Sequence, residues 1–160
     1  MGGGDYSWIN SKIIFQRSMN MAQQVPFKEG LLTTPLSPLE NVRLKGIKCR
    51  ACGSLALGES KYCINCTSKD VEEYVFSKYG KIYSYTVIRH APPPPYPQES
   101  FKPFPVAWVE LEDGLFLVSE ITGCGLDELD CGKRVELDLG KGWVDDKGND
   151  VIMYKFKLIK

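Results

Sequence analysis

Alternation of apolar and polar residues over the second half of the chain predicts five β-strands. The first strand, residues 81–90, is rich in β-branched and aromatic types. Strict alternation divides it into two faces, one with Ile82, Ser84, Thr86 and Ile88 and the other with Tyr83, Tyr85 and Val87. Further strands are predicted at 105–111, 115–119, 134–139 and 151–159, with a helical turn at 126–129 and a loop at 140–149. This order is that of a five-stranded OB-fold barrel.

The N-terminal part of the chain carries weaker signals, which predict an arm with short helices. Residues 9–24 contain no Pro or Gly and favour a helix, although their apolar positions form no clean 3.6-residue stripe. Ser37 is a predicted N-cap, with Pro38 at the first helical position and Glu40 completing a capping box. Gly46 would end this second helix.

A proline-rich loop interrupts the predicted barrel between its first two strands. Seven of the ten prolines lie within residues 91–105, and the run 92–95 favours a stiff polyproline II segment. Tyr96, Phe101 and Phe104 add aromatic surface, and His90 stands at the mouth of the loop. Long loops inside compact domains are often functional, so we interpret this one as a contact arm for a partner or ligand. A ligand for an SH3-like domain and a simple spacer are the alternatives.

The charge of the chain is balanced overall but not along its length. The 160 residues carry 20 basic and 20 acidic side chains, with +3 over residues 1–79 and −3 over 80–160. This balance argues against a protein whose main task is to grip a phosphate backbone. No apolar run is long enough to span a bilayer, and the first residues lack the pattern of a secretory signal. We therefore expect a cytoplasmic protein.

Four cysteines form the most specific motif of the sequence. They occur as two C-x2-C pairs ten residues apart, and the ligands are Cys49, Cys52, Cys63 and Cys66. Two such pairs suit a tetrahedral Zn²⁺, and Gly53 permits the tight return that follows the second thiolate. Four protein ligands leave no position for water or substrate, so one structural zinc ion is predicted rather than a catalytic one.

Other interpretations of the cysteines are less favoured by their pattern. Two disulfides would require an oxidising compartment, and a redox pair would require a single C-x2-C at the start of a helix. Iron in a rubredoxin-like site shares the same ligand set and stays open. Cys124 and Cys131 flank the predicted helical turn and are interpreted as small apolar side chains. Because the chain has a single His, no catalytic residue is assigned.

These signals divide the chain into three predicted units and define the fold class. An N-terminal arm with short helices covers 1–44, a rubredoxin-like zinc ribbon covers 45–79, and an OB-fold domain with the proline-rich loop covers 80–160. The expected fold is mainly β. The positive charges nearest to the ribbon, Lys48, Arg50 and Lys61, would offset the net charge of −2 on a Zn²⁺ ion bound by four thiolates.

The order of motifs resembles a known family. A CxxCG…CxxC ribbon, then GKIYSYTV before an Ala-Pro-Pro run, then PVAWVELEDGLFLVSEITGC and GKRVEL, is similar to the zinc-ribbon/OB-fold proteins whose genes accompany thiolases. The resemblance covers roughly residues 40–160. Within this family, the long arm and the proline-rich loop look similar to the accessory subunit of benzoylsuccinyl-CoA thiolase, from anaerobic toluene breakdown. Steroid side-chain members and the bridging subunit of archaeal acetoacetyl-CoA thiolase are the closest alternatives.

The resemblance implies a small, non-catalytic subunit of a hetero-oligomer. Such subunits partner thiolases, thiolase-like aldolases or acyl-CoA hydratases, and help to bind acyl-CoA or to shape the active site of the partner. In the positively charged first half of the chain, Lys45, Lys48, Arg50 and Lys61 are candidates for contact with the phosphates of coenzyme A. The loop from Tyr96 to Phe104 is the candidate for contact with the partner. His90 joins these candidate contacts.

Two functions of other classes compete with this interpretation. OB folds and zinc ribbons also occur in nucleic-acid binders, and Tyr83, Tyr85 and Trp108 could form a stacking platform for a single strand. The charge of −3 in the barrel half opposes it, because such proteins line the strand with positive charge. A protein that binds acyl-CoA by itself, without a partner, is the second alternative.

Overall fold

The computed structural model describes residues 23–91, 93 and 101–160, and their regular secondary structure is almost entirely β-strand, arranged in two sheets. The predicted mainly β fold is confirmed. Most of the predicted helix at 9–24 lies outside the described residues, and Gln24 begins strand β1, Gln24–Pro26. Among the residues described, no helix has the length and apolar character needed to cross a membrane.

The smaller sheet carries the cysteines. It consists of the antiparallel strands β2, Lys45–Cys49, β3, Leu55–Leu57, and β4, Val71–Val75, in the order β3-β2-β4. Ile47 and Cys49 are buried in the central strand. Gly46 pairs with Leu57, and a Cβ atom at this glycine would overlap the carbonyl oxygen of Ala56. The two strands therefore approach each other as closely as they do because residue 46 has no side chain.

The larger sheet closes into a five-stranded, OB-like barrel. Its strands are β5, Tyr79–Ile88, β6, Phe104–Leu111, β7, Phe116–Thr122, β8, Arg134–Val144, and β9, Asp150–Leu158. Antiparallel pairing joins β7 to β6, β6 to β5, β5 to β8 and β8 to β9, and a short parallel pairing of β9 with β7 closes the ring. The five predicted strands are thus confirmed as a barrel.

One hydrophobic core connects the barrel with the segment before the ribbon. Strand β1 pairs in parallel with β9, and Leu32 pairs with Leu44. Leu44 and Phe76, which flank the ribbon, are fully buried in the same cluster as Phe156 of the barrel. The ribbon is therefore anchored at both of its ends in the core of the barrel.

The predicted helix after Ser37 is wrong. Only one turn of 3₁₀ helix forms, at Leu39–Asn41, and no side chain caps it. Gly46 lies inside strand β2 rather than at a helix end. Val42 adopts an extended backbone, and both Val42 and Leu44 are fully buried. Burial of alternate residues against the barrel outweighs the local capping signal, because it removes apolar surface from water.

Two predicted boundaries in the barrel also change. Residues 126–129 form a hydrogen-bonded turn rather than a helical turn, with the Glu128 N–H donating to the Gly125 carbonyl at 3.2 Å. Strand β8 continues to Val144, where a loop had been predicted from residue 140. The extension exists because β9 pairs with β8 along its full length, past an irregularity between Lys141 and Trp143.

A β-bulge changes the two faces that were predicted for the first barrel strand. Ile82 pairs with the buried Val109, whereas Ser84 pairs with the exposed Trp108, so the register shifts between them. Tyr83 is the extra residue at this shift. After the bulge, Tyr85 pairs with the buried Ala107 and therefore lies on the opposite side of the strand from Ser84, although 41% of the residue is exposed. The predicted grouping of Tyr83 with Tyr85 on one face is therefore wrong.

Candidate metal centre and barrel surface

The four predicted ligands come together at one point at the tip of the ribbon. All four sulfur atoms lie within 4.8 Å of one another. The Sγ atoms of Cys49 and Cys66 are 3.6 Å apart, as are those of Cys52 and Cys63. A tetrahedral site with metal–sulfur bonds of about 2.3 Å requires sulfur–sulfur separations of roughly 3.8 Å. The arrangement therefore fits one tetrahedral ion, and these separations are far too long for disulfide bonds.

Both cysteine pairs are held by the same local turn. The N–H of the residue after the second cysteine, Gly53 in one turn and Thr67 in the other, donates to the carbonyl of the first cysteine at 2.9 and 3.0 Å. Both residues have a positive φ, 74° for Gly53 and 59° for Thr67. Glycine adopts this conformation without strain, as expected for Gly53. Nothing in the sequence predicts a positive φ at Thr67.

The cysteine thiols differ in acidity because they share one small space. Hydrogen bonds from the side chain and the backbone of Ser54 lower the pKa of Cys52 to about 6. The pKa of Cys66 lies at about 12, since its contacts with the Cys52 and Cys49 sulfurs outweigh a backbone hydrogen bond from Ser68 that lowers it. A divalent cation would favour the thiolate form of all four, as metal ions do for coordinating thiols. Four thiolates in this arrangement suit a zinc ion, and they also suit an iron ion in the same tetrahedral geometry.

Some of the positive side chains near the ribbon are engaged by carboxylates. Arg50 donates to Glu72 at 2.9 Å and lies 3.7 Å from Asp70. Lys48 and Lys61 are exposed, and the Nζ atom of Lys48 lies 5.8 Å from the centre of the Tyr74 ring. Of the four predicted coenzyme A contacts, Arg50 and Lys45 are thus already paired with carboxylates within the chain, Lys45 with Glu59 at 3.0 Å and with Glu73 at 3.3 Å. Their role as contacts stays a prediction.

The proline-rich loop is described only at its two ends. Strand β5 ends at Ile88 and β6 begins at Phe104, so residues 89–103 connect them. His90 is exposed on the outgoing side. On the returning side the rings of Phe101 and Phe104 meet edge to face, with centres 6.1 Å apart. Tyr96 lies outside the described residues, and the contact role of all four side chains stays a prediction.

The predicted stacking platform does not form as expected. Tyr83, Tyr85 and Trp108 are all exposed, but Tyr85 pairs with Ala107 and so lies on the other side of the sheet from Trp108. Phe116, which the sequence reasoning did not single out, takes the third place on the outer surface. Its ring centre lies 5.3 Å from that of Tyr83 and 6.4 Å from that of Trp108. The signal for Phe116 was the alternation in β7, which buries Leu117 and leaves its neighbour outside.

The remaining two cysteines stand apart from the metal centre. Cys124 is half-buried, and burial raises the pKa of its thiol. Cys131 is exposed. A raised pKa disfavours the thiolate and therefore nucleophilic chemistry, which agrees with the apolar role expected for Cys124.

The fold and the site together define a protein built from a four-cysteine ribbon and an OB-like barrel. The model of the C-terminal OB-fold domain of ChsH2 matches residues 73–139. A DUF35 domain-containing scaffold protein of Pyrococcus furiosus is 35% identical over 121 residues, which cover 75% of this chain and 86% of the relative. The chain belongs to this family, the thiolase-associated DUF35 accessory proteins.

Two further similarities connect this chain with subunits of enzyme assemblies. Benzoylsuccinyl-CoA thiolase subunit BbsA of Geobacter metallireducens is 33% identical over 116 residues, with 72% of this chain and 75% of the relative covered. A chain of the solved Ltp2-ChsH2(DUF35) aldolase superposes with a TM-score of 0.55 at 31% identity, covering 72% of this chain and 84% of that one. Both names describe subunits or assemblies of enzymes.

Proposed function

We propose that this chain is a non-catalytic, zinc-binding subunit that docks on a thiolase-type enzyme and helps it to bind acyl-CoA. The observation that carries the proposal is the closed four-cysteine site, in which every ligand position is supplied by the protein. Such a site stiffens a small module and offers no open coordination position for catalysis. The names of the relatives, a scaffold protein and a thiolase subunit, support the same role.

The proline-rich loop is the part of the chain that we assign to the active site of the partner. Its two ends are held by β5 and β6, which pair with each other at Ile88 and Phe104. The aromatic pair Phe101 and Phe104 stands at its base. A loop that is anchored in this way can enter a neighbouring subunit and cover an acyl chain with apolar surface, which protects it from water.

The particular assembly that we propose is benzoylsuccinyl-CoA thiolase. The similarity to BbsA supports this choice, as does the proline-rich loop noted in the sequence. Lys48 and Lys61 are exposed cations near the ribbon, and we assign them to the phosphates of coenzyme A. Arg50 would have to exchange its carboxylate partners to take part.

The test begins with the untagged chain isolated from its own cells. A native mass spectrum should show one zinc ion per chain and a thiolase-type companion, whose identity sets the acyl substrate. A lone zinc-loaded chain that binds coenzyme A esters would instead indicate a free acyl-CoA-binding protein. A lone chain that binds neither a companion protein nor coenzyme A esters would contradict the proposal.

The role of the loop is tested in the reconstituted complex. Residues 92–100 are replaced by a short Gly-Ser linker, which keeps the Phe101–Phe104 contact at the base of the loop. We expect turnover of the complex to fall while zinc content and thermal unfolding of the chain stay as in the wild type. Unchanged kinetics would show that the loop does not serve the active site.

A further inference from the structure

Three aromatic rings and a valine form an apolar patch on the outside of the barrel. This aromatic face consists of Tyr83, Trp108, Phe116 and Val118, with exposed fractions of 60, 52, 41 and 48%. Phe116 contacts both other rings, and Trp108 pairs directly with Val118 across β6 and β7. The four side chains therefore form one continuous surface across three strands.

Such a surface is unusual on the outer side of an antiparallel sheet, where polar residues are expected. In β7 both sides are apolar, since Leu117 and Ile121 fill the barrel while Phe116 and Val118 lie outside. The bulge in β5 adds Tyr83 to the same side, as bulges often redirect a side chain. An apolar patch of this kind, rimmed by polar groups, marks an interaction site in soluble proteins.

The charges around the aromatic face indicate the kind of partner. Lys81 pairs with Glu110 at 3.0 Å on one side, and Lys155 pairs with Glu120 at 2.8 Å on the other. The rim is therefore neutralised within the chain and complements a surface without net charge. In these two pairs each lysine already has a carboxylate partner, so they offer a polyanion no free cation. The carboxylates of Glu110 and Glu120 would also repel it.

The size of the aromatic face agrees with the centre of a protein interface. A fully buried aromatic side chain covers about 150–250 Å², so three rings that are about half exposed offer roughly 300 Å². A standard interface buries about 800 Å² on each partner, with aromatic anchors near its centre. Phe104 continues the same side of β6 toward the proline-rich loop, two positions beyond Val106.

We propose that the aromatic face docks on an uncharged, apolar surface of the thiolase-type catalytic subunit, with Trp108 as the central anchor. This inference rests on the proposed function and names the surface through which it operates. The same two strands, β5 and β6, contribute Tyr83 and Trp108 and hold both ends of residues 89–103. One partner would then meet the aromatic face and the loop together.

The experiment compares Trp108→Thr with the matched control Val144→Thr, which changes a similarly exposed side chain on β8, outside the aromatic face. The full-length, zinc-loaded chain is titrated by calorimetry into the catalytic subunit recovered with it. We expect Trp108→Thr to raise the Kd at least ~30-fold, as for an interface anchor, and the control to stay within about 2-fold. Val118→Lys, which places a charge in the same surface, should have an equally large effect.

Salt separates this mode of binding from an electrostatic one. The wild-type Kd should change less than about 3-fold between low and high NaCl concentration. The affinity for a phosphate backbone would instead fall by orders of magnitude over the same range. If the wild-type chain binds the catalytic subunit, and Trp108→Thr and Val118→Lys bind it as tightly as the wild type, the proposed docking surface is wrong and the proposed function stands. If the wild-type chain does not bind, the proposed function fails and the docking surface with it.

Two other occupants would be recognised in the same series. Loss of self-association in Trp108→Thr, seen by native mass spectrometry with unchanged binding to the catalytic subunit, would assign the aromatic face to a second copy of the chain. Loss of binding to single-stranded oligo(dT), again with unchanged binding to the catalytic subunit, would assign it to a nucleic acid. Either result overturns the inference.

Discussion

Asp113 joins the metal-binding ribbon to the barrel, and its removal should loosen this junction. The residue lies in the turn between β6 and β7. Its Oδ1 atom accepts a hydrogen bond from the Tyr74 hydroxyl at 2.8 Å, and its Oδ2 atom accepts one from the Ser77 N–H at 2.5 Å. Tyr74 belongs to the last ribbon strand and Ser77 to the connection that follows. Asp113→Ala therefore removes both acceptors at once.

The expected loss follows from the number and the burial of these bonds. A hydrogen bond to a charged group contributes about 1.5–3 kcal/mol net. Both donors and the carboxylate are half-buried, so water replaces part of this contribution. We expect the free energy of unfolding to fall by about 2–3 kcal/mol. In a protein of this length that corresponds to a decrease in Tm of roughly 5–10 °C.

Thermal unfolding of the zinc-loaded chain at neutral pH, followed by circular dichroism, measures the effect. Asp146→Ala is the matched control, because Asp146 is an exposed carboxylate in the turn between β8 and β9. The control should leave Tm within about 1 °C, as expected for a surface substitution. If Asp113→Ala and Asp146→Ala unfold at the same temperature, the junction does not depend on this carboxylate.

The same contact has a defined pH dependence. The hydrogen bond to Asp113 raises the pKa of Tyr74 above its usual value, with a further contribution from burial. A group whose pKa is raised on folding contributes stability below its unfolded pKa, near 10 for tyrosine, and loses it as the pH rises through the folded value. The difference in Tm between wild type and Asp113→Ala should therefore be complete at neutral pH and shrink in strongly alkaline solution.

Three further predictions concern the ribbon. Cys63→Ser should release the zinc and make the ribbon sensitive to protease, which metal analysis and limited proteolysis measure; retention of one zinc per chain would contradict the assignment. Gly46→Ala should destabilise the ribbon by about 1–3 kcal/mol, because its Cβ would overlap the Ala56 carbonyl, whereas Gly140→Ala has open space and should be neutral in the same unfolding assay. Zinc affinity should fall progressively as the pH is lowered from neutral to acidic, since protons compete with the metal ion for all four thiolates; a competition titration with a chelator across this range would show no trend if the cysteines are not ligands.

The metal centre could be predicted from sequence because its geometry is local. Each C-x2-C pair lies within a single turn, and the backbone hydrogen bond to the first cysteine of each pair comes from a residue only four positions away. Two pairs at this spacing have few ways to come together other than around one ion. The sequence did not indicate Thr67, since its left-handed backbone follows from the second turn repeating the first.

The failed helix after Ser37 shows the limit of local signals. Ser37, Pro38 and Glu40 form a good capping pattern, yet Val42 and Leu44 alternate into a core that includes Phe156. That core does not exist until the barrel is closed. A capping box contributes about 1 kcal/mol, whereas two fully buried aliphatic side chains contribute several. The capping pattern therefore does not decide the structure here.

The sequence alone determined that this chain is mainly β, with a four-cysteine metal site followed by five strands in OB order, because strand alternation and cysteine spacing are properties of neighbouring residues. Only the tertiary structure decided which aromatic residues meet on the surface. The bulge at Tyr83 is set by how β5 pairs with β6, and it separates Tyr83 from Tyr85 and places it beside Phe116. A single register shift reverses every later side chain in a strand, and pairing partners distant in sequence determine where that shift occurs.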